Sequence, residues 1–174
     1  MIILLTGGSA CGKSHYAESL CLHFPMPRYY IAAMMPYGEG SEAKIERHRQ
    51  MRRGKGFETV ERYRDLSGLR LEKRGTVLLE CVCNLTANEM FDDSGNITDP
   101  YDAVMDGIDA LCAQSGNVVI VTNDVGSDIR EYTPETGRYI EALGRINAAL
   151  AQKADRVYEL VCGIPIPLKG ELII

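Results

Sequence analysis

Apolar runs recur along the chain as MIILLT at 1–6, RYYIAA at 28–33, TVLLECV at 76–82, NVVIVT at 117–122 and DRVYELV at 155–161. Each has the length and side-chain content of a strand, and the stretches between them are long enough for helices. VVIV and VLLE lack the alternation of a half-exposed strand, so they belong in a parallel sheet buried on both faces. The expected fold is therefore α/β, a mostly parallel sheet with helices on both faces. The clearest helix is 134–153, where Ile140, Leu143, Ile146 and Leu150 recur at three- and four-residue spacing as one apolar stripe. Helices are also predicted over 13–23, 42–53 and 101–114, the last entered through Asp99-Pro100. The tail GIPIPLKGELII alternates apolar residues with prolines, which fits a terminal edge strand or hairpin because proline is excluded from central strands.

Composition narrows the class without changing that picture. With 174 residues, 45% of them apolar, and no linker or repeat, the chain reads as one soluble domain over 1–174. A net charge of −5 argues against a general nucleic-acid or membrane-surface binder, so an anion site has to be local. The first apolar run stops at Thr6-Gly7-Gly8, far short of the roughly 20 residues that span a bilayer, and no basic leader precedes it. Six cysteines show neither CxxC spacing nor a nearby Cys/His cluster, which argues against a zinc site and fits reduced thiols in a cytoplasmic protein.

Candidate chemistry begins at Gly7-Gly8-Ser9-Ala10-Cys11-Gly12-Lys13-Ser14, which fits G-x-x-x-x-G-K-[ST] between a predicted strand and a predicted helix. Glycine leaves the backbone N–H groups free to wrap a phosphate, and the helix N-terminus adds positive charge. Lys13 is then placed to reach the β/γ oxygens and Ser14 to ligate Mg²⁺. An acidic partner for the metal is expected at the carboxyl end of a strand, where Glu80 closes VLLE. A strand-end salt bridge is the other reading of Glu80. Asp124 competes for a metal or base role but reads equally as a cap or turn residue.

A second feature is the cluster Lys44, Arg47, His48, Arg49, Arg52, Arg53 and Lys55 in an otherwise acidic chain. On a helix Lys44, His48 and Arg52 share a face, which suits phosphate oxygens; a merely solvated basic face fits the residues as well. The cations near His48 are expected to favour its neutral, nucleophilic form.

In IILLTGGSACGKS, KIERHRQMRRGKGFETVE at 44–61, LLECV at 78–82 and VTNDVG at 121–126, the chain resembles the bifunctional adenosylcobinamide kinase/adenosylcobinamide-phosphate guanylyltransferase family of cobalamin biosynthesis, with GRINAALAQKADRVYELVCGIPIPLK supporting the match. The resemblance implies a P-loop NTPase-like fold and a cytoplasmic enzyme using Mg²⁺ with GTP or ATP. It implies phosphorylation of the aminopropanol hydroxyl of adenosylcobinamide, then transfer of GMP to that phosphate through a guanylyl group carried on His48. It further implies that Gly7 to Ser14, Ala32, Ala33, Met34, Arg49, Gln50, Met51, Arg52, Glu61 and Glu80 surround the nucleotide. Lys13 and His48 are then the catalytic residues, Ser14 and Glu80 the metal ligands. A homo-oligomer, expected to be a trimer, is implied by the same resemblance. The chain departs from the family pattern in carrying Arg52-Arg53 for Arg-Pro, Phe57 for tryptophan, and Asp124 for glutamate in VTNDVG. From the residues alone, a P-loop kinase for another small alcohol and a nucleotide-binding regulatory protein remain open, and VTND is not a guanine-reading NKxD motif.

Other signals carry less. Asn84-Leu85-Thr86 and Asn96-Ile97-Thr98 are sequons without a secretory context, and Asp92, Asp93, Asp99 and Asp102 form an acidic loop that lacks the closing glutamate of an EF-hand. Cys81 and Cys83 are expected to pack on one strand face, and His15 and His23 to serve helix surface or packing.

Overall fold

The computed structural model describes residues 1–36, 41–92, 94–126 and 131–173, with Ser41 and Lys44 described by backbone alone. In chain order the strands are β1 (Ile2–Thr6), β2 (Arg28–Ala32), β3 (Phe57–Glu61), β4 (Thr76–Glu80), β5 (Asn117–Val121), β6 (Arg156–Val161) and β7 (Ile164–Lys169). The helices are α1 (Lys13–Cys21), α2 (Ser41–Arg52), α3 (Val82–Met90), α4 (Tyr101–Gln114) and α5 (Pro134–Lys153). The strands form one sheet in the order β3-β2-β4-β5-β1-β6-β7, parallel throughout except for the antiparallel β6–β7 pair.

The continuous apolar runs are explained by the layers. On one face Ile3, Leu5, Tyr30, Leu78, Val119, Val121 and Tyr158 pack on Ala17, Leu20 and Cys21 of α1. On the other, Leu4, Ile31, Val77, Leu79, Val118 and Ile120 pack on Leu85 of α3, Ile108 and Leu111 of α4, and Leu143, Ile146 and Leu150 of α5. Full burial of each of these Val, Leu and Ile side chains stabilises the fold by roughly 1.5–3 kcal/mol, so the two covering layers, more than the propensity of any single element, hold the sheet. The α5 stripe is buried as the spacing predicts except at half-buried Ile140, which lies over Gly126. Asp99 accepts from the N–H of Tyr101 at 3.1 Å and thereby caps the entry to α4.

One expectation is overturned. Cys81 and Cys83 do not share a strand face, because β4 stops at Glu80, Cys81 precedes α3 and Cys83 lies within it. A short apolar run cannot by itself show where a strand passes into a helix. The tail forms a hairpin: Val161 pairs with Ile164, and Cys162 and Gly163 turn the chain with φ of 50° and 82°. Gly163 N–H donates to the Cys11 carbonyl at 2.8 Å, so the hairpin turn braces the loop after β1.

Candidate active site

The loop from Gly7 to Ser14 wraps the carboxyl end of β1. Gly7 adopts φ of 134°, and a Cβ there would sit 2.6 Å from the Leu160 carbonyl oxygen, so only glycine lets β1 and β6 approach this closely. Lys13 opens α1 and is buried, its Nζ donating to the carbonyls of Gly7 at 2.9 Å and Gly8 at 2.6 Å. Beside it the Ser14 hydroxyl donates to Glu80 Oε1.

Glu80 reaches the loop through sheet register. Ala32 lies opposite Glu80 and Tyr30 opposite Leu78, so Tyr30 and Glu80 are diagonal neighbours on the α1 face. The Tyr30 hydroxyl donates to Glu80 Oε2 at 3.0 Å and lies 3.2 Å from His48 Nδ1. That nitrogen is also 3.5 Å from Glu80 Oε1. Burial pushes the Glu80 carboxyl up, but hydrogen bonding and attraction from His48, with hydrogen bonds from Ser14 and Tyr30, hold it below its ordinary value. Burial, and next the Glu80 carboxylate, push the Tyr30 phenol well above its ordinary value, against Arg52. The Arg52 guanidinium lies over the Tyr30 ring, 3.5 Å from its centroid, and donates through Nη2 to Thr59 Oγ1 at 3.3 Å. Its buried Nη1 has no hydrogen-bond partner among the described residues.

These groups line a cavity of about 420 Å³ at the carboxyl ends of β1 to β5, within the roughly 300–1,000 Å³ typical of small-molecule sites. The cobinamide kinase/cobinamide phosphate guanyltransferase family matches this chain over residues 3–168. The chain belongs to that family. The bifunctional adenosylcobalamin biosynthesis protein CobU of Escherichia coli (strain K12) is 35% identical, over 97% of this chain and 100% of that one. Its namesake from Salmonella typhimurium is 33% identical over the same shares. Among solved structures, the ATPase domain of G40P shares the fold with a TM-score of 0.50 at 10% identity, covering 91% of this chain and 68% of that one. That likeness is one of P-loop NTPase fold.

The cavity gathers most of the residues singled out by motif and family resemblance. Ser9, Ala10, Cys11, Gly12, Lys13, Ser14, Ala32, Met34, His48, Arg49, Met51, Arg52, Glu61 and Glu80 line it. Gly7 and Gly8 hold Lys13 through their carbonyls and are not among the lining residues. Ala33 is buried in the core, donating its N–H to the Glu80 carbonyl at 3.0 Å, and Gln50 is exposed and bonds Glu46. Asp124 is exposed outside the cavity, with its N–H on the Gly7 carbonyl at 3.2 Å, so Glu80 and not Asp124 faces Ser14. The Lys44 side chain and Asp93 lie outside the described residues. His15 is exposed at the cavity wall and His23 is exposed away from it.

The sequence reading passed over Tyr30, Thr59, Tyr63, Asn84 and Asn123, all of which line the cavity. Tyr30 carried a weak signal, a hydroxyl two residues before Ala32 and thus on its face of the strand. Tyr63 donates to Glu61 at 2.9 Å, and Arg49 pairs with the same carboxylate at 2.9 Å, so one rim of the cavity is tied together. Hydrogen bonds from these two groups hold Glu61 below its ordinary value. For a metal, Ser14 and Glu80 offer adjacent hard oxygen donors beside the phosphate loop. Among the described residues no group of three or more His, Cys, Asp or Glu could hold an ion. A donor set of one hydroxyl and one carboxylate fits Mg²⁺, which completes its shell with phosphate oxygens and waters.

Proposed function

We propose that this cavity performs both reactions of the family: phosphoryl transfer from GTP or ATP to the aminopropanol hydroxyl of adenosylcobinamide, then transfer of GMP to that phosphate. The observation that carries the reading is that the phosphate loop and the basic helix α2, distant in sequence, face one cavity in which His48 approaches Glu80 to 3.5 Å. In the first reaction the loop N–H groups and the α1 N-terminus cradle the phosphates, and Lys13 exchanges its carbonyl partners for β/γ oxygens. Ser14 and Glu80 would hold Mg²⁺, which when bound neutralises charge on the phosphate oxygens. In the second reaction His48 attacks the α-phosphorus of GTP, expels pyrophosphate and carries GMP as a phosphoramidate until the corrinoid phosphate displaces it. Arg47, Arg49 and Arg52 line the same wall and offset phosphate charge.

The partners on this reading are small molecules, and a cytoplasmic compartment accords with six free cysteines. No helix among the described residues is long and apolar enough to cross a membrane. We also propose a homo-oligomer, with a trimer as the expected state; Ile164, Ile166 and Leu168 project from edge strand β7 with 65%, 42% and 59% exposure, an apolar stripe that a second copy can bury. The deciding experiment for the function is incubation with α-labelled GTP and Mg²⁺. Label should remain on the protein, stable in base and lost in acid, and His48→Asn should abolish it. Label of the opposite stability, or label retained in His48→Asn, would overturn the guanylyl-histidine.

A further inference from the structure

We propose that Tyr30 is a positioning residue for guanylyl transfer, holding His48 in the tautomer that carries its proton on Nδ1 and leaves Nε2 as the nucleophile. The inference rests on the assignment of His48 above and adds the residue that aims it.

The geometry is one of counting protons. A phenol has a single O–H, and an ionised carboxylate can only accept. The Tyr30 hydroxyl donates to Glu80 Oε2 at 3.0 Å, so its proton is committed there. Its oxygen is left to accept, and the group it meets at 3.2 Å is His48 Nδ1. The second neighbour of Nδ1, Glu80 Oε1 at 3.5 Å, is also an acceptor. Nδ1 therefore bears the proton, and in a neutral imidazole the lone pair then sits on Nε2. Among the described residues no group hydrogen-bonds Nε2, and His48 lines the cavity.

Tyr30 is itself fixed. It is 3% exposed in β2, its ring meets Phe57 edge-on at 6.4 Å, and the Arg52 guanidinium covers its face at 3.5 Å. His48 belongs to a helix, whereas its orienting hydroxyl belongs to the sheet that also carries Glu80 and leads into the phosphate loop. Tyr30 thus refers the nucleophile to the frame that holds the phosphates. In the step itself the Nε2 lone pair forms the N–P bond as the bond from Pα to the bridging oxygen breaks, and pyrophosphate leaves with that electron pair. The proton stays bonded to Nδ1, which continues to donate it to the Tyr30 oxygen, and the positive charge formed on the ring lies against Glu80.

The test compares wild type with Tyr30→Phe, which keeps the ring and its stacking and removes only the hydroxyl. Single-turnover labelling at saturating GTP should slow by roughly 10–100-fold, by analogy with the loss seen when a partner that orients a metal-ligating histidine is removed, while the GTP concentration for half-maximal rate changes little. Phosphorus–proton NMR of the guanylylated protein should show only Nε2-linked phosphoramidate in wild type, and both Nε2- and Nδ1-linked species in Tyr30→Phe. Wild-type labelling rate with pure Nε2 linkage in Tyr30→Phe would overturn the proposal. So would an Nδ1 linkage in wild type, a result that stands even if the variant fails to fold. Absence of any label on wild-type His48 would instead sink the guanylyl-histidine reading, and the role of Tyr30 with it.

Discussion

Glu18 of α1 has a fully buried side chain, and its partner is Lys55 in the turn between α2 and β3, with Nζ 2.7 Å from Oε2 and a side chain 23% exposed. Oε1 of Glu18 has no hydrogen-bond partner among the described residues. The pair ties the helix behind the phosphate loop to the segment that follows the His48 helix. Lys55→Met removes the cation and leaves the carboxylate buried and uncompensated, a change that costs about 3–5 kcal/mol when a buried pair is broken. Lys55 retains some contact with water, which places the expectation near the lower end, about 3 kcal/mol. For a chain of this size each kcal/mol moves Tm by about 2–4 °C, so Tm should fall by about 6–12 °C. Glu18→Leu/Lys55→Met should recover most of that loss, because an apolar pair replaces a buried ion pair at little cost. Urea unfolding of wild type, both single variants and the double variant gives the coupling energy directly. Lys55→Met within about 1 kcal/mol of wild type, the range of an exposed surface pair, or a double variant as unstable as the sum of the singles, would refute this account.

Lys13→Ala should stay folded but lose GTP affinity and both transfers, since Lys13 lines the cavity and bonds loop carbonyls; undiminished turnover by the folded variant would sink the phosphate-loop assignment. Hydrogen bonds from Arg145, followed by the N–H of Tyr101, hold Asp99 below its ordinary value of 3.8. Its contribution to stability is therefore complete above that value and is lost as pH falls through the lower folded value. Asp99→Asn should accordingly make the urea midpoint less sensitive to acidification, and an unchanged pH profile would count against the pairing. Ile164→Lys/Ile166→Lys should lower the mass seen by light scattering while leaving the monomer folded. A wild-type protein that is monomeric at micromolar concentration would rule out the oligomer.

The sheet was legible because its central strands are buried on both faces, and burial on both faces writes itself as uninterrupted Val, Ile and Leu. The same logic hid β3. Phe57–Glu61 is an edge strand with the burial pattern half-buried, exposed, exposed, half-buried, exposed, so FETVE carries no comparable run. Helix α3 was hidden by the reverse effect, an apolar stretch that continues across the end of β4, where strand and helix residues are equally buried. In the site, the phosphate loop was readable because its glycines answer to local backbone geometry. The neighbourhood of Glu80 was not, because it depends on which strands lie side by side.

Strand order is the missing variable. β2 pairs with β4 in a register that sets Ala32 opposite Glu80, and β4 then lies beside β5 and β5 beside β1. Nothing local to RYYIA or TVLLE specifies that pairing, yet it alone brings Tyr30 to the carboxylate that Ser14 also contacts. Both Glu80 oxygens serve the junction: Oε1 meets the Ser14 hydroxyl and lies 3.5 Å from His48 Nδ1, while Oε2 accepts from the Tyr30 hydroxyl. Ser14 belongs to the phosphate loop and Tyr30 leads to His48, so one buried carboxylate joins the groups proposed for phosphoryl transfer to those proposed for guanylyl transfer. Rigid parallel strands can hold such a junction to within a hydrogen bond, where a mobile loop cannot. A chain that runs two transfers in one cavity of this size gains from placing their shared carboxylate on a central strand, and that is where Glu80 stands.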